Sequence, residues 1–92
     1  MRIRILLADD HPILLEGLRA ILEQDPDLDI IAMAHSGREA VRVSHDQQPD
    51  VVVMDVSMPD LNGIEATRQL IAARSKGLSE IKLFHQNIRY LQ

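Results

Sequence analysis

The segment VVVMDVSMPDLNG occupies residues 51–63. Its opening is a run of branched aliphatics closed by a methionine, too short for a buried helix and well suited to a pleated, buried surface. Asp55 stops the run, and Pro59, Asn62 and Gly63 follow in close order, which is the composition of a loop. The reading is a short strand over residues 51–54 and a loop from 55 to 63, so that a carboxylate stands at the strand's C-terminal end. Residues 64–74 then predict a helix with Ile64, Leu70 and Ile71 apolar, and Gly77 is placed to end it.

Upstream the same alternation repeats. Ser36 followed by Glu39 is a capping box, predicting a helix to about residue 47 that Pro49 closes. DIIAMA at residues 29–34 is a second short apolar run. Before it, Pro12 suits the first turn of a helix, and Leu14, Leu18, Ile21 and Leu22 fall on one helical stripe. Pro26 disfavours helical geometry at Asp25 and ends that helix. IRILLA at residues 3–8 is the first strand, stopped at once by DDHP. Strands alternating with helices in this way predict parallel pairing through crossovers, with helices on both faces. The fold class is α/β, in three layers.

Composition narrows the function. The chain has 92 residues, one domain's worth, and its 46% hydrophobic and 26% charged content is that of an ordinary globular protein. No apolar run approaches the ~18 residues of a membrane span. Arg2 and Arg4 lead no signal-peptide core before Asp9 and Asp10, so a cytoplasmic location is expected. Without cysteine there is no disulfide framework, zinc knuckle or thiol chemistry. A net charge of −4 argues against nucleic acid as a direct partner, and no membrane partner is expected. The aromatic residues, Phe84 and Tyr90, both fall near the C-terminus.

Asp9 and Asp10 follow the first strand and Asp55 the third. In an open parallel sheet, ligands bind beyond the carboxyl ends of the strands. If the first and third strands are neighbours, the three carboxylates converge, and their mutual repulsion calls for a shared cation. A hard cation with oxygen ligands, Mg²⁺, fits that set. Taken alone, an acidic doublet before a helix is more often a helix-capping feature, and only Asp55 reverses that preference. His11 is read as a residue flanking the crevice with a structural role, and His35 and His45 are assigned nothing. Met33, Met54 and Met58 read as packing.

Two segments, LLADDHPILLEGLRAIL at residues 6–22 and VVVMDVSMPDLNGIEATRQL at residues 51–70, carry a resemblance. The chain resembles the CheY-like receiver domain of two-component response regulators, in the branch that carries a LuxR/NarL-type DNA-binding domain. The resemblance implies a flavodoxin-like parallel sheet. It implies that Asp55 is the phosphoacceptor, that Asp9 and Asp10 hold Mg²⁺ together with Asp55, and that the backbone carbonyl of Ser57 is a further metal ligand. It implies a sensor histidine kinase as partner and a phosphoacceptor module rather than an enzyme. A metal-dependent phosphohydrolase would need a second acid where Ser57 stands.

The resemblance covers residues 1–83, with residues 84–92 as a divergent tail. A receiver has five βα units, whereas this chain has room for three and part of a fourth strand beginning at Ile81. By register Asn87 falls near the place of the family's Ser or Thr switch residue, and Lys82 lies too early to be its lysine. The expectation is a C-terminally truncated receiver that dimerises, or pairs with a receiver-like partner, through an exposed sheet edge. The alternative to phosphotransfer is a non-phosphorylated interaction module using that same edge.

Overall fold

In a computed structural model, residues 2–55, 58, 61, 63–72 and 80–84 are described. Their order is β1 (Ile3–Ala8), α1 (Pro12–Leu22), β2 (Leu28–Ala34), α2 (Gly37–Gln47), β3 (Val51–Asp55), α3 (Gly63–Ala72) and β4 (Glu80–Phe84). The expected strands and helices are all present, with ends moved by a residue or two where they fall among the described residues. Gly77, Asn87 and, apart from Phe84, the tail lie outside the described residues.

The strands form a parallel sheet in the order β2-β1-β3-β4, which is the flavodoxin-like order as far as it runs. β1 is central, and Ile5, Leu6, Leu7 and Ala8 are all buried, as a strand covered on both faces requires. Leu6, Ala8, Val52 and Met54 pack with Ala40 of α2 and with Ala66 and Leu70 of α3. Ile5 and Leu7 face the other way, against Leu15, Leu18 and Leu22 of α1. Helices therefore cover both faces, and the three layers follow.

α1 differs in one respect from its expected stripe. Leu15 is the buried residue, while Ile21 is 65% exposed. Leu15, Leu18 and Leu22 stand at i, i+3 and i+7, so the contact stripe is rotated toward Leu15. Among the described residues α1 alone covers this face, and Val51 and Val53 there are half-buried, whereas Val52 and Met54 opposite are fully enclosed.

β2 carries an irregularity that its sequence conceals. Ile5 pairs with Ile30 but Leu6 pairs with Ala32, so Ile31 is an extra residue in the ladder. The bulge turns the strand over. Ile30 joins the α1 face and Ala32 joins the α2–α3 face, although two residues apart they would otherwise share one.

α2 is fixed at both ends. Ser36 Oγ accepts the Glu39 backbone N–H at 3.1 Å. The Glu39 carboxylate accepts the N–H of His35 at 2.6 Å, one residue before the reciprocal bond of an ordinary capping box. At the other end Gln48 takes the left-handed conformation, φ 54°. Arg4 of β1 donates to the carbonyls of Gln47 and Gln48, both at 2.7 Å. Carbonyls that a helix end leaves unpaired thus receive a cation that also favours the negative end of the dipole.

Candidate metal centre

Ala8 pairs with Met54, so Asp9 and Asp55 emerge level from adjacent strands. Parallel neighbours lie about 4.8 Å apart, which brings the two side chains to one place. The Asp9 backbone N–H donates to the carbonyl of Ala34 at 3.0 Å, extending the ladder one step beyond β1. Asp9 is 0% and Asp55 1% exposed. With the half-buried Asp10 and with His11 they form a group whose candidate ligand atoms all lie within 4.8 Å of one another.

The capping alternative for the acidic pair does not describe this arrangement. The N-cap of α1 is His11, in extended conformation, and no side chain caps the helix. Asp9 Oδ1 instead accepts the His11 backbone N–H at 2.8 Å and stands 2.6 Å from His11 Nδ1. Nδ1 is also 3.1 Å from Asp10 Oδ1. With Asp9 ionised its Oδ1 can only accept, and the proton of this contact then belongs to Nδ1. His11, expected to flank the crevice in a structural role, stands in contact with both members of the pair. Its place between Asp10 and Pro12 was the available signal.

Burial pushes the Asp9 carboxyl above its ordinary value, opposed by the two hydrogen bonds from His11 and reinforced by the charge of Asp55. The bond to Asp9 raises His11, opposed by desolvation and reinforced by the charges of Asp10, Asp9 and Asp55.

The donor set fits a divalent cation. Asp9 Oδ2 is buried and has no hydrogen-bond partner among the described residues. A carboxylate oxygen withdrawn from water without a partner is costly, and a cation is the partner that such an atom lacks. Asp9, Asp10 and Asp55 can hold it, with His11 beside them. Ser57 lies outside the described residues, and Met58 beyond it is buried in the core.

A family model for the response regulator receiver domain matches residues 5–83. The chain belongs to the receiver-domain family. As a receiver it is a signalling module rather than a dedicated enzyme. The receiver is 47% identical over 68 residues to the transcriptional regulatory protein LiaR of Bacillus subtilis, covering 74% of this chain and 32% of that protein. It is 45% identical over 69 residues to a protein-glutamate methylesterase/protein-glutamine glutaminase of Methanospirillum hungatei, covering 75% of this chain and 20% of that protein. The receiver thus spans a third or less of the length of these curated relatives. Among solved structures, a LuxR-family response regulator from Aurantimonas superposes with a TM-score of 0.84 at 39% identity, over 99% of this chain and 65% of that one. Among the described residues no helix is long and apolar enough to cross a membrane.

Proposed function

We propose that this receiver is a phosphoacceptor in a two-component relay, with Asp55 as the site modified by a sensor histidine kinase. The convergence of buried Asp55 on Asp9 and Asp10 carries the reading. A carboxylate oxygen of Asp55 forms the new P–O bond as the P–N bond of the donor phosphohistidine breaks, and the released imidazole takes a proton from water. Asp9, Asp10, Asp55 and the Ser57 carbonyl are the proposed holders of Mg²⁺, which offsets charge on the transferring phosphoryl oxygens. Asp55 is held at the end of a paired strand, so its position is set before the donor arrives. The test is incubation with a small phosphodonor and Mg²⁺ followed by intact mass. A mass gain of one phosphoryl group that disappears in Asp55→Asn supports the assignment, and a gain that survives the substitution refutes it.

A second reading is an interaction module that pairs through the outer edge of β4, which stands last in the strand order among the described residues. Co-purification with a full-length receiver, undisturbed by Asp55→Ala, would favour it.

A further inference from the structure

We propose that His11 is a positioning residue for the cation site: its two N–H groups hold Oδ1 of Asp9 so that Oδ2 is presented to the ion. The inference rests on the reading of Asp9, Asp10 and Asp55 as cation ligands and adds a residue that does not itself bind the ion.

Pro12 sets the backbone of His11. A residue before proline is pushed to extended geometry, and His11 has φ −108° and ψ 100°. The backbone N–H, at 2.8 Å, and Nδ1, at 2.6 Å, then converge on the same Asp9 oxygen. Two donors from one residue leave that carboxylate a single orientation. The oxygen they do not engage is Oδ2, which is enclosed and has no hydrogen-bond partner among the described residues. Nδ1 is committed to Oδ1, and the ring is 54% exposed, turned outward beside the carboxylates. Nδ1 also lies 3.1 Å from Asp10 Oδ1, without a hydrogen bond to it. Partners that fix the orientation of a metal-binding carboxylate typically change metal affinity by about 10–100-fold.

The experiment is calorimetric titration of Mg²⁺ into the full chain as wild type, His11→Ala and His11→Asn, with visible spectra of Co²⁺ complexes of each. Asn carries an N–H on the same branch atom as Nδ1. The expected result is Mg²⁺ affinity reduced about tenfold in His11→Ala, largely restored in His11→Asn, with Co²⁺ band positions unchanged. Wild-type affinity in His11→Ala would overturn the proposal. So would failed rescue by Asn with shifted Co²⁺ bands, which makes His11 a direct nitrogen ligand. If wild type binds neither ion, the cation reading itself falls, a result distinct from a failure confined to His11.

Discussion

The carbonyl oxygen of Leu61 occupies the space that a Cβ on Gly37 would need. The N-terminus of α2 is thereby seated against the connection that leads from Asp55 to α3. Backbone, not a flexible side chain, closes this space. Gly37→Ala therefore forces α2 away from the connection, and the expected cost is about 2 kcal/mol in urea unfolding. Gly17, at the exposed middle of α1, has nothing within 4 Å of its would-be Cβ. Gly17→Ala should stabilise by about 0.5–1 kcal/mol, and equal effects at the two sites would contradict the packing.

Arg4 joins β1 to the C-terminal end of α2 through Gln47 and Gln48. Arg4→Met keeps the aliphatic stem and removes both charge-assisted bonds, leaving two carbonyls to water. The expected loss is about 1–2 kcal/mol, read as a lower urea midpoint with an unchanged slope. Gln48→Gly should act oppositely, relieving a left-handed non-glycine residue by up to about 1 kcal/mol.

The elements of this fold were legible because each strand is a short apolar run and each helix has its own stop signals. The tie from Arg4 to α2 was not, since it joins residues far apart in sequence. The bulge at Ile31 escaped for a related reason. Leu28 to Ala34 is apolar almost throughout, so its face reversal leaves no break in the pattern. At the site, the three carboxylates could be named from strand ends, and their convergence depended on β1 and β3 being neighbours. His11 was visible as a residue but not as a contact, because an acidic doublet before proline does not say which oxygen the imidazole meets.

On α1, Leu15→Ala should cost about 2–5 kcal/mol, because its side chain is enclosed against Ile5 and Leu7. Ile21→Ala, at an exposed position, should change stability by no more than about 0.5 kcal/mol. Comparable losses in thermal unfolding would restore the stripe centred on Leu14 and Ile21.

In metal-free protein, Asp9 sets a pH dependence whose sign follows from burial. Its native carboxyl titrates above 3.8, so the stability lent by protonation is complete below that value and is lost as pH rises through the higher native one. Asp9→Asn stays neutral throughout and still accepts from His11. Its melting temperature should exceed that of wild type near neutrality, with the gap closing as pH falls toward about 4. His11 acts in the same direction, its contribution present below 6.5 and lost as pH rises through its raised native value. A gap that widens toward acid would contradict the assignment.

Phosphorylation of Asp55 is tested most directly by trapping the acyl phosphate. Protein treated with a small phosphodonor and Mg²⁺ is reduced with borohydride, which converts an aspartyl phosphate to homoserine, and the site is read by peptide sequencing. The expected result is modification at position 55, dependent on Mg²⁺ and abolished in Asp9→Ala/Asp10→Ala protein. Modification at position 9 or 10, or none at all while the protein binds Mg²⁺, would contradict a phosphoacceptor at the end of β3.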